Sequence, residues 1–221
     1  SNVSGNYNVA VGFEALQENT ASYNTAVGYK ALEENTTGSK NVAVGYEALD
    51  ANTTGTDVTA VGKDALGANT TGASNTSVGS NTLTVNTTGA NNVAVGNGAL
   101  SGNTTASGNT ALGYESMDQN TTGASNVAVG ALALERNTTG SNNVAVGYEA
   151  LEENTTANNN TAIGYNALSA NTDGQTNTAV GLNAMMTNTS GDDNVAVGYQ
   201  ALYVSTTGDQ NIAIGRNCLV A

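Results

Sequence analysis

The chain has 221 residues, of which 38% are hydrophobic and only 5% aromatic, too few large apolar side chains for a thick globular core. Its formal charge of −13, from 5 Lys and Arg against 18 Asp and Glu, argues against nucleic acid and anionic membrane surfaces as partners. Without His and with a single Cys, it has no His-based triad, no zinc site of the usual kind and no intramolecular disulfide. No apolar run reaches the length of a bilayer span, and none follows a basic leader.

In chain order the predicted elements are copies of one unit, seen most plainly at Asn41 to Asp57, NVAVGYEALDANTTGTD. Its core recurs as NVAVG at Asn8, NTAVG at Asn24, VTAVG at Val58, NTSVG at Asn75, NVAVG at Asn92 and NTALG at Asn109. It continues as NVAVG at Asn126 and Asn143, NTAIG at Asn160, NTAVG at Asn177, NVAVG at Asn194 and NIAIG at Asn211. The glycines closing these cores, Gly12 to Gly215, are 17 residues apart except for a first step of 16. A fixed short period of this kind is the signature of a solenoid. The expected fold is therefore an all-β parallel β-solenoid of thirteen 17-residue coils, forming one repeat domain over residues 1–221. The absence of Pro suits a continuous ladder, because each Pro would delete a backbone donor.

Counting from the leading Asn makes Asn41 position 1 and Asp57 position 17. Positions 1 to 5 alternate as a strand does, with Val42 and Val44 on one face and Ala43 on the other. Both faces are small or apolar, which predicts a strand buried on both sides. Positions 6 to 11 place polar residues at i, i+3 and i+4, as in Glu149, Glu152 and Glu153, with Ala150 and Leu151 between them. That pattern predicts either one helical turn or a tight corner with its apolar side inward, position 9 (Leu or Met) being a core column. Positions 12 to 15, NTTG, are turn chemistry, with Gly expected to supply a positive φ. Stacked coils place equivalent residues about 4.8 Å apart, so thirteen of them predict a rod of roughly 60 Å. Both ends of the chain keep the repeat, which predicts a segment cut in phase from a longer array, or copies stacking end to end.

The NTAVGYxAL core resembles the head repeats of trimeric autotransporter adhesins, and is similar to NTAVGYxALxxNTTG arrays in phage tail-fibre-like and surface proteins. The resemblance covers the whole chain, although the adhesin head repeat is shorter than 17 residues. It implies a homotrimeric fibre in which one strand face packs inside the coil and the other toward a three-fold axis. It also implies an extracellular or virion-surface location, with any cell-surface or glycan ligand engaged by a tip domain outside this stretch.

The candidate surface is the position-13 column: Thr20, Thr36, Thr53, Thr70, Thr87, Thr104, Thr121, Thr138, Thr155, Thr172, Thr189 and Thr206. An in-register Thr array on a β-solenoid is what an ice-binding face presents. The competing reading makes NTTG only a corner, and no Thr-x-Thr pair repeats coil by coil. The position-1 residues Asn24, Asn41, Asn92, Asn109, Asn126, Asn143, Asn160, Asn177, Asn194 and Asn211 read as a structural hydrogen-bonded ladder. Position 6 carries Tyr29, Tyr46, Tyr114, Tyr148, Tyr165 and Tyr199; a sugar- or surface-stacking stripe there would be interrupted by Lys63, Ser80, Asn97, Ala131, Leu182 and Arg216, so the column reads as a half-exposed packing position. The acidic positions lack the spacing of calcium-binding β-rolls and read as a solvated face, and Cys218 reads as a small core residue. No catalytic residue, metal or cofactor is expected. The functional expectation is a rigid fibre shaft or adhesin-type spacer that works as a homotrimer. Ice binding through the Thr column is the alternative, and a filament formed by end-to-end self-association is a further one.

Overall fold

The computed structural model describes residues 4–219, which fall into two compact units divided after Asn109. In the first unit β1 (Val9–Val11), β2 (Thr25–Val27), β3 (Val42–Val44), β4 (Thr59–Val61), β5 (Thr76–Val78) and β6 (Val93–Val95) pair in sequence order. The second unit repeats this with β7 (Thr110–Leu112), β8 (Val127–Val129), β9 (Val144–Val146), β10 (Thr161–Ile163), β11 (Thr178–Val180), β12 (Val195–Val197) and β13 (Ile212–Ile214). Every one of these pairings is parallel and in step, so that Ala43 faces Ala60 and Ala145 faces Ala162. Each unit is thus an all-β parallel solenoid, and no helix occurs among the described residues.

The segment at positions 6 to 11 is a tight corner, not a helical turn. A helix would direct its N–H groups to carbonyls four residues back, whereas here those of positions 7, 9 and 11 cross to neighbouring coils. Glu149 N–H donates to Ala131 O at 3.2 Å, Leu151 N–H to Ala167 O at 3.1 Å and Glu153 N–H to Ser169 O at 3.0 Å. This ladder holds positions 7 and 9 in the left-handed region, with φ of 53° at Glu149 and 54° at Leu151. Non-glycine residues enter that region at a cost of about 1 kcal/mol each, which persists only when surrounding bonds over-determine the backbone.

The core is thinner than alternation alone predicts. Ala43 is fully buried, and so are position 8 (Ala48) and position 9 (Leu49). Val42 and Val44 point outward and are half-buried, so the expectation of a strand covered on both faces does not hold within one chain. The Leu column fills the inside, leaving room across from it only for Ala. The outward position-4 side chains form an apolar strip, 41% exposed at Ile163 and 37% at Leu112 within the stack and up to 67% at Ile214 in the last coil.

The two glycine columns have different causes. Position 5 carries the positive φ, 138° at Gly147, and an added Cβ there would lie 2.4 Å from Gly164 O. The NTTG glycine has no positive φ, contrary to the expectation from turn chemistry. At Gly55 the constraint is space, since an added Cβ would lie 2.4 Å from Asn52 Oδ1.

Candidate functional site

The position-13 threonines spend their hydroxyls within the chain. Thr53 Oγ1 donates to Thr70 O at 3.0 Å, and the same carbonyl accepts the N–H groups of Thr53 and Thr54. Equivalent hydroxyl bonds run Thr36 to Thr53, Thr70 to Thr87, Thr138 to Thr155 and Thr189 to Thr206. Thr53, Thr70 and Thr138 are half-buried, whereas Thr20 and Thr206 are exposed. The outward hydroxyl column lies one residue later, at Thr37, Thr54, Thr71, Thr88, Thr122 and Thr139, all exposed. The sequence held a signal for this: position 13 is Thr in every complete coil, while Asp173 and Ser190 stand at position 14.

The asparagines form two buried ladders that meet. At position 1, Asn41 N–H donates to Asn24 Oδ1 at 2.9 Å, and Asn41 Nδ2 donates to Gly55 O at 2.8 Å. At position 12, Asn52 Nδ2 donates to Asn35 Oδ1 at 2.8 Å and also to Gly55 O at 3.2 Å. In the second unit Asn126, Asn143, Asn160, Asn177 and Asn194 repeat the position-1 bonds. A buried amide is tolerated only when its donors and acceptors are used, and stacking at the coil spacing satisfies both. Apart from Asn188 Oδ1, these side chains offer nothing to a ligand, because their polar atoms are spent along the axis.

A third column faces solvent. The position-6 rings stack where they are consecutive: Phe13 on Tyr29 at 5.4 Å, Tyr29 on Tyr46 at 5.2 Å and Tyr148 on Tyr165 at 5.3 Å between centroids. A neighbouring glutamate holds several of them. The hydroxyls of Tyr46, Tyr114 and Tyr148 bond to Glu47, Glu115 and Glu149, which raises each phenol's pKa. Cations also sit over this column, Lys30 Nζ 6.0 Å from the Tyr29 centroid and the Arg216 guanidinium carbon 5.4 Å from that of Tyr199.

The carboxylates crowd one another along the corners. Burial, opposed by hydrogen bonds from the backbone of Asp50 and Ala51 and aided by Glu47 and Glu34, pushes the Asp50 carboxyl up to about 6. A carboxyl whose folded pKa is raised makes the fold lose stability as pH rises from about 4 to 6, because the unfolded chain ionises first. Asp50→Asn should therefore raise the Tm at pH 7.5 by about 2–4 °C, and the gain should vanish near pH 4. A gain that is equal at both pH values would show that ionisation is not the cause.

Among the described residues no group of three acidic, His or Cys side chains is placed to hold a metal ion. A shallow opening of about 370 Å³ is lined by Leu202, Val204, Ser205, Asn211 and Leu219, and no titratable side chain lines it. No helix among the described residues is long and apolar enough to cross a membrane. Cys218 is free and half-buried, at the position Ala holds in most other coils. No family model, curated protein or solved structure matches the chain.

Proposed function

We propose that this chain is a structural element: a stiff, homotrimeric fibre shaft that holds a binding tip away from its base, outside a cell or on a virion. The observation that supports this reading most directly is where its polar groups go. Backbone amides, position-13 hydroxyls and both Asn columns bond from coil to coil, so adding coils lengthens the element without altering its cross-section. A spacer needs that property. The resemblance of the NTAVGYxAL core to fibre and adhesin repeats supports the same reading.

The outward strip of positions 2 and 4 is where three copies would pack. Light scattering on the whole chain should give three times 22.0 kDa, about 66 kDa. Val146→Glu places a charge in the strip and should reduce the mass to that of one chain while leaving the far-UV spectrum intact. A wild-type mass of 22.0 kDa would sink the trimer, and a mass that grows with concentration would favour end-to-end association. The ice-binding alternative is weakened by one observation: the position-13 column from Thr20 to Thr189 uses its hydroxyls internally instead of presenting them.

A further inference from the structure

The stacked position-6 column has a one-rung gap in the second unit. Tyr114 and Tyr148 are two coils apart, and the rung between them carries only the methyl group of Ala131. Coils stack about 4.8 Å apart, so the two tyrosine rungs stand about 10 Å apart. A planar group inserted midway would lie about 5 Å from each ring, within the range that aromatic stacking prefers. That matches the 5.3 Å at which Tyr148 stacks on Tyr165 on its other side. Each of the two tyrosines is followed in the chain by a glutamate, Glu115 or Glu149, which raises its phenol's pKa. Tyr46, followed likewise by Glu47, does stack on its neighbour Tyr29, at 10° between planes. Elsewhere a single rung between two tyrosines is filled: Leu182, 44% exposed, stands between Tyr165 and Tyr199.

Charge selects what would enter. Glu115 and Glu149 follow the two tyrosines in the chain, the charge of Glu115 acts on Glu135, and the cation next to Glu135, Arg136, is engaged by Glu153 at 2.7 Å. The chain also contains its own example of the ligand. Arg216 occupies a position-6 rung, and its guanidinium lies 5.4 Å from the ring of Tyr199 on the adjacent rung. Planar guanidinium groups stack on aromatic faces and are weakly hydrated, so they enter such a site more readily than ammonium groups. We propose that the rung left open at Ala131 is a binding slot for one planar delocalised cation, the guanidinium of an arginine side chain on a protein partner, sandwiched between Tyr114 and Tyr148. The slot lies on the corner column and not on the strand face, so it is independent of the trimer reading.

The test is a titration of the whole chain with N-acetyl-arginine amide, following the tyrosine ring signals by NMR, with N-acetyl-lysine amide and a flat heteroaromatic cation in parallel. The ring signals of Tyr114 and Tyr148 should shift together, with arginine binding at least about threefold tighter than lysine. Ala131→Tyr fills the rung with the residue six other coils carry there, so it should leave the Tm unchanged or higher and abolish the arginine response. Tyr114→Ala should abolish the response at Tyr148 by removing the opposite wall. Equal responses in wild type and Ala131→Tyr would overturn the proposal. So would arginine binding no tighter than lysine, or a slot that takes the heteroaromatic cation and ignores arginine.

Discussion

Replacing Gly147 by Val is expected to destabilise the chain by about 4 kcal/mol and to lower its Tm by about 10 °C. Gly147 has φ +138°, a region essentially closed to residues with a Cβ, and the added atom would lie 2.4 Å from Gly164 O. Neither contact can relax, because the Gly164 carbonyl belongs to a neighbouring rung whose backbone is fixed by its own ladder. Gly140, in the NTTG column, provides the control. An added Cβ there would also lie 2.4 Å from a backbone oxygen, that of Ala157. Clash distance alone would therefore rank the two sites as equal. Yet Ala106 and Ala157 already stand at the equivalent of Gly140 and are buried at 5% and 1%, and the backbone there has no positive φ. Backbone conformation decides between them, and Gly140→Ala should cost about 1 kcal/mol. Thermal unfolding of the two variants measures the difference, and equal losses would show that packing dominates over φ.

The period, the all-β class, the Leu column and the Asn ladders were legible because each depends on stacking identical residues, which repetition displays directly. What stayed hidden was orientation. Val42-Ala43-Val44 alternates, but with both faces apolar the alternation cannot say which face is inside; only the width of the coil, filled by Leu49, selects Ala43. Thr53 and Thr54 are chemically identical, so turn chemistry could not tell the internally bonded hydroxyl from the outward one. At the corner, a helical turn and a tight corner were both open for another reason. Polar residues at i, i+3 and i+4 mark a helix when the N–H groups bond locally, and here alternating left-handed residues such as Glu149 and Leu151 reproduce the spacing while the bonds leave the coil. The gap at Ala131 was visible in the sequence as an interruption. It became a slot only once the stacking of Tyr148 on Tyr165 showed that the column is a ladder.

The Asn ladders predict losses and gains from the same rule. Asn143→Leu should cost about 2 kcal/mol despite burying more apolar surface. The Asn143 side chain accepts the Asn160 N–H at 2.9 Å and donates to Ala157 O at 2.9 Å. Ala157 O keeps a second donor in Asn154 at 3.2 Å, so the lasting penalty is one buried N–H at Asn160, worth about 1–3 kcal/mol. The chain contains that lesion already. Val58 stands at position 1, fully buried; its own N–H donates to Asn41 Oδ1 at 3.0 Å, but it has no side-chain oxygen to offer the Asn75 N–H. Val58→Asn should therefore stabilise by about 1 kcal/mol, with Oδ1 accepting from Asn75 and Nδ2 reaching Gly72 O as Asn41 reaches Gly55 O. The position-12 ladder has a matching break: Ser205 follows Asn188, whose buried Oδ1 has no partner. Ser205→Asn supplies the missing amide donor. Each repair should raise the Tm by about 2–4 °C. A hydrophobic-core account predicts the opposite sign at Val58, because it counts only the apolar surface lost. The direction of the Val58→Asn shift thus decides whether axial hydrogen bonding or apolar burial sets the stability of a rung.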